Sequence, residues 1–263
     1  MTDTRFVDLS APIENSPPGI PELFRTEIDY QDHEAGAATI ESMLDVPRRL
    51  LRDREGWANE EIRRLGTHSA THIDAPWHYN SRIRGERART IDELPLEWFF
   101  SDGVVADMTA KQDGEAIEPA EIEAALERAG HEVKPLDIVL VRTDRDEHYR
   151  ELDYVARGPA VTAAATAWLF ERGVRLMGID AWGWDGPLHF QAEAAKREDR
   201  PGIFWAAHQA DIPYSQIERL FNLRELPPTG FRVACFPLRI VGAGAAPARV
   251  VALLPDPAEP ASL

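Results

Sequence analysis

The sequence predicts a mixed α/β domain with more strands than helices, on three observations. Residues 137–144, DIVLVRTD, and 174–181, VRLMGIDA, are short apolar runs of the kind that strands buried on both faces require. Between them GPAVTAAATAWLFERG, 158–173, reads as a helix starting at Pro159 and stopped by Gly173, so the two strands form a parallel pair joined by a crossover. Two more apolar runs, FRVACFPLRI at 231–240 and ARVVALL at 248–254, supply closing strands.

In chain order, FVDLSAPI at 6–13 is an opening strand, and the proline-broken ENSPPGIPE at 14–22 is a loop able to close over a pocket. Residues 68–80, HSATHIDAPWHYN, alternate as a strand does and then meet Pro76, which turns the chain. SRIRGERART at 81–90 is a basic loop, either solvated or a clamp for a substrate carboxylate. DGVVADMT at 102–109 is a short strand, and EPAEIEAALERAG at 118–130 is a helix with Pro119 in its first turn and Gly130 as its stop. The tail from 255 to 263, PDPAEPASL, is expected to be loose.

A chain of 263 residues without internal repeats or a Gly/Ser linker is expected to form a single domain, 1–263. Its formal charge of −16 argues against phosphate-backbone and anionic-membrane partners. MTDTRFVDLS lacks the basic start and apolar core of a signal peptide, and no apolar run reaches membrane-spanning length, so a cytoplasmic protein is expected. The lone Cys235 excludes an intrachain disulfide framework and reads as a buried, inert thiol.

The histidine stretch carries the chemistry. His68, His72 and His78 are three of only eight histidines, and Asp74 stands among them. On a strand, His68, Ala70, His72 and Asp74 share a face, and two imidazoles with one carboxylate suit Zn²⁺ or Mn²⁺. Clustered histidines also occur on solvated loops, but the pattern H-x3-H-x-D-x-P-x-H arises by chance in roughly one chain in thousands. His78, beyond the ligand row, can face the same cavity without binding the ion. Asp180 closes the buried strand 174–181, where crevices of open α/β sheets form, and Trp182 and Trp184 beyond it are either a pocket wall or ordinary core. Further on, His208 and Glu218 offer the nitrogen and carboxylate that a fuller shell or a second ion would need.

The stretch resembles the H-x-G-T-H-x-D-x-P-x-H motif of the metal-dependent cyclase family, which includes bacterial kynurenine formamidases and isatin hydrolases. DLSAPI, GVVADM, GID, IERLFNLRELPPTGF and FPLRIVGAGAAPARVVALL fall in the family's order over nearly the whole chain. The resemblance implies a swivelling β/β/α fold with a central mixed β-barrel or sandwich flanked by helices, in homodimers or homotetramers. It also implies metal ligation by His68, His72 and Asp74, with acid/base catalysis by His78. Where two ions bind, Asp74 bridges them and His208 and Glu218 complete the shell. Ala70 stands at the motif's glycine, a small change on extended backbone and a costly one at positive φ.

The reaction expected from this set is hydrolysis of a carbon–nitrogen bond in a small, aromatic amide, either an aryl formamide or a lactam, acting on a small-molecule substrate. Lactone hydrolysis and polyketide-type cyclisation or dehydration are alternatives within enzymes, separable by product analysis. A metal-dependent binding protein without turnover is the alternative of another class, and it gives His78 no task. A structural zinc domain is disfavoured because such sites prefer cysteines and a closed shell.

Overall fold

The structure, a computed structural model, describes residues 4–255, so all but the first residue of the tail expected to be loose lies outside the described residues. The chain gathers into two compact units, one of residues 4–12 with 70–255, the other of residues 13–69.

The larger unit is built on a nine-stranded mixed sheet, curled into a half-barrel. Its strands are β1 (Arg5–Asp8), β2 (His72–Asp74), β3 (Phe100–Asp107), β4 (Ile138–Arg142), β5 (Leu176–Ile179), β6 (Ser215–Glu218), β7 (Phe231–Ala234), β8 (Ala245–Pro247) and β9 (Val251–Leu254). They lie in the order β1-β9-β7-β3-β4-β5-β6-β2-β8. The four central strands β3 to β6 are parallel, and every pairing outside them is antiparallel.

Helices Pro119–Arg128, Ala163–Glu171 and Leu188–Glu198 make the three crossovers between those central strands. The first begins as the sequence predicts, with proline at its start and a capping box between Glu118 and Glu121. The second begins later than Pro159, because Ala160 and Val161 first pair with Ala116 and Ile117, and Thr162 then caps the helix by accepting from the Ala165 N–H.

Strand alternation divides the core. Val104, Ala106, Val139, Val141, Met177 and Ile179 pack with Ile122, Leu126, Ala165 and Leu169 of the helices. Val105, Ile138, Leu140, Leu176, Ile217 and Ile73 belong to the second cluster, on the opposite face. Between them the sheet approaches its neighbours so closely at Gly178 that a Cβ there would stand 2.7 Å from Leu220. Cys235 is fully buried, and burial pushes its thiol well up from the ordinary range.

The smaller unit pairs Glu27–Gln31 with Asn59–Arg64 in an antiparallel ribbon and adds the helix His33–Leu44, capped by Asp32. Sequence patterning announces neither. Among the described residues no helix is long and apolar enough to cross a membrane.

Candidate metal centre

The register of two strands assembles the centre. β2 and β6 pair so that His72 faces Glu218, Ile73 faces Ile217 and Asp74 faces Gln216. Directly opposed residues share a face, so the two isoleucines enter the second core cluster while the four polar side chains project together on the helical side. All four are buried. On the other edge of β2, the small residues Ala245 and Pro247 of β8 oppose Asp74 and His72.

The extended row does not reach back to His68, which corrects the reading of 68–74 as one strand. The strand begins at His72, and Ala70 takes φ of 52°. This left-handed residue turns its carbonyl onto His72, whose Nδ1 lies 3.0 Å from Ala70 O. A carbonyl only accepts, so Nδ1 carries the proton, and in the neutral ring Nε2 presents its lone pair to the centre. Thr71 pins the turn, accepting from the Ala11 N–H at 2.7 Å and donating to Arg219 O. His68 is the penultimate residue of the smaller unit, its Nδ1 3.1 Å from the Thr67 hydroxyl.

His72 Nε2 lies 3.3 Å from Asp74 Oδ1 and 3.6 Å from Glu218 Oε2, and the three donor atoms fall within 4.8 Å of one another. Burial first and the neighbouring Asp74 charge second hold the Glu218 carboxyl above its ordinary pKa. Two buried carboxylates and an imidazole lone pair converging on one point are mutually repulsive until a cation lies between them. One nitrogen and two oxygens are the donor set a borderline divalent ion takes, so these residues fit a metal ion.

His78 sits in the single helical turn Pro76–Tyr79 and brings a ring nitrogen within 4.8 Å of an Asp74 carboxylate oxygen. Burial, ahead of every charge around it, lowers its pKa from the usual histidine value. The turn is backed by Gly244, whose carbonyl accepts from the Ala75 N–H at 2.7 Å. A Cβ at Gly244 would come within 3.2 Å of the His78 backbone.

His208 stands across from the first group. Its Nδ1 is paired with Asp185, which also accepts from the Ala207 and His208 N–H groups. Its ring stacks on Trp205 at 4.7 Å and 6°, and Trp205 meets His78 edge-on at 5.1 Å. Burial disfavours the charged ring most, while Asp185, Glu218 and Asp74 favour it.

Glu218 thus joins His72 and Asp74, whereas His208 belongs to none of the metal-competent groups among the described residues. Asp180 does not join the centre as a substrate residue. Its buried carboxylate accepts from Thr143 N, Thr143 Oγ1 and Asp144 N, tying the end of β5 to the loop after β4. Trp184 is core and not a pocket wall, since β5 ends at Ile179 and the ring turns inward to donate to Thr166 Oγ1 at 2.9 Å. Its backbone N–H serves the centre instead, donating to Glu218 Oε1. Trp182 is half-buried, with the Arg219 guanidinium 4.8 Å from its ring centre.

Sequence reasoning passed over Asp185, Trp205 and Gln216. Gln216 had a signal in the alternation Q-x-E of 216–218, whereas Trp205, at φ of 60° in a turn, had no periodic one. Asp185 had none.

The sequence model of the family described as putative cyclase matches residues 7–186. A kynurenine formamidase of Salinibacter ruber is 31% identical over 201 residues, 74% of this chain and 80% of that protein. A kynurenine formamidase of Maricaulis maris is 30% identical over 197 residues, 71% and 77% of the two chains. Among solved structures, isatin hydrolase A from Ralstonia solanacearum superposes with a TM-score of 0.72 at 24% identity, covering 96% of this chain and 92% of that one.

Proposed function

The chain belongs to the cyclase family, and from that premise we propose that it is a metal-dependent hydrolase cleaving the carbon–nitrogen bond of a small aromatic amide, an aryl formamide or a lactam. The observation that carries the reading is the buried cluster of His72 Nε2, Asp74 Oδ1 and Glu218 Oε2 with the His78 imidazole beside it. Two kynurenine formamidases among its relatives support an amide as the substrate.

His72, Asp74 and Glu218 hold the ion in this proposal, and His68, four residues upstream of His72, adds a ligand. A divalent ion held there, Zn²⁺ or Mn²⁺, would supply Lewis acidity, polarising a substrate carbonyl and lowering the pKa of water toward neutrality. His78 takes up the proton that the attacking water releases and delivers it to the departing nitrogen, a task suited to an uncoordinated imidazole. Trp205, stacked on His208 and edge-on to His78, gives a flat apolar wall for an aromatic ring, and Trp182 is a further candidate. The acidic chain works in this proposal as a cytoplasmic homodimer or homotetramer, without a nucleic-acid or membrane partner.

The test is bound metal after dialysis, read together with turnover on a panel of formamides, lactams and lactones. His72→Ala and Asp74→Ala are expected to lose the metal. His78→Ala is expected to keep it and lose on the order of 10²-fold in turnover. Full metal retention in both ligand variants overturns the ligand assignment, and loss of metal from His78→Ala overturns the proton-transfer role.

A further inference from the structure

We propose that this chain binds a single metal ion, because the Gln216 carboxamide occupies the position that a second ion sharing Asp74 and Glu218 would take. The proposal rests on the metal-site reading above and concerns its other side.

Each carboxylate is two-faced. Asp74 and Glu218 turn Oδ1 and Oε2 toward His72, and Oδ2 and Oε1 toward His208. His208 Nε2 stands 3.9 Å from Asp74 Oδ2 and 3.8 Å from Glu218 Oε1, spacings only slightly wider than those of ligands bonded at about 2.0–2.2 Å to one ion. Asp185 on Nδ1 keeps Nε2 directed inward. These donors by themselves suit a cation.

What lies among them is Gln216 Nε2, 2.8 Å from His208 Nε2, 2.8 Å from Glu218 Oε1 and 3.3 Å from Asp74 Oδ2. Carboxylates only accept, so the amide end between them must be the NH₂ group, and Oε1 meets the Tyr214 hydroxyl at 3.0 Å. An NH₂ group donates and cannot ligate a metal. Its partial positive charge holds the inner oxygens as an ion would, without adding a full charge. Gln216 is fully buried on β6, between β5 and β2.

The experiment loads the full chain with Mn²⁺, dialyses it and measures ions per chain and the electron paramagnetic resonance spectrum. Wild type is expected to hold one ion per chain with the spectrum of an isolated Mn²⁺. Gln216→Ala vacates the position and is expected to hold two ions, coupled through the shared carboxylates. Gln216→Glu, nearly isosteric, replaces the NH₂ group by an acceptor and is expected to do the same, so the test survives if the alanine variant fails to fold. Two ions in wild type overturn the proposal and leave the metal-site reading standing. One ion in both wild type and the folded variants also overturns it. No ion in wild type overturns the metal-site reading itself.

Discussion

Ala70 is the residue whose backbone matters most to the ligand row. Its φ of 52° puts a Cβ into the left-handed region, which costs an L-residue roughly 1 kcal/mol relative to glycine. The conformation persists because it aims the Ala70 carbonyl at His72 Nδ1 and because Thr71 anchors the next residue to Ala11 and Arg219. Ala70→Gly is therefore expected to raise the unfolding free energy by up to about 1 kcal/mol, less the entropy of a freer unfolded chain, with metal content unchanged. Urea denaturation checks it, and a loss of stability means the Cβ contributes packing that outweighs the strain. Cys235 gives a second test at this scale. Buried against Phe99 O with its thiol pKa raised, it is expected to resist iodoacetamide in the native protein and to react fully in denaturant. Rapid native labelling would show that the chain just after β7 opens on the labelling timescale.

Among the elements, the single helical turn Pro76–Tyr79 decides where His78 acts. Four residues are too few for a self-supporting helix, so tertiary contacts hold it, above all the strap around Gly244. Gly244→Ala brings a Cβ to 3.2 Å from the His78 backbone, which forces the turn to yield by a few tenths of an ångström. Displacements of about 1 Å cost catalysis on the order of 10²-fold, so this smaller one is expected to lower turnover several-fold while bound metal stays constant. Unchanged turnover would show that the reaction tolerates movement of His78. The β2–β6 pairing is less forgiving. A slip of one residue would send His72 and Asp74 to the other core face and bring Ile73 into the centre.

At the scale of the molecule, stability is linked to pH through Asp180. Burial, the largest influence, outweighs the hydrogen bonds from Thr143 and Asp144 and raises its pKa from 3.8 to about 7. A folded pKa above the unfolded one means that the fold favours the protonated acid. This contribution to stability is fully present below about pH 4 and is lost as pH rises through about 7. Asp180→Asn removes the titration, so its unfolding free energy is expected to fall less than that of wild type between pH 4 and 7. Parallel curves in urea titrations would rule Asp180 out as the source. The sequence by itself determined the parallel strands flanking a crossover helix, and the grouping of His72 with Asp74, because periodicity and two-residue alternation are local properties of the backbone. For Trp182 and Trp184 the choice between pocket wall and core was not local, since β5 had already ended and the chain was free to turn one ring into the core. The smaller unit was illegible for a related reason: its helix His33–Leu44 buries only Gly36, Ala37 and Ile40, too small a stripe to mark a period. Only the tertiary structure decided that Glu218 completes the His72 group, that Asp185 and Trp205 hold His208, and that Gln216 lies between His208 and Asp74. Gln216 and Asp74 are 142 residues apart, and their meeting depends on strand register, which follows from packing both faces of the sheet at once and is written in no single stretch of chain.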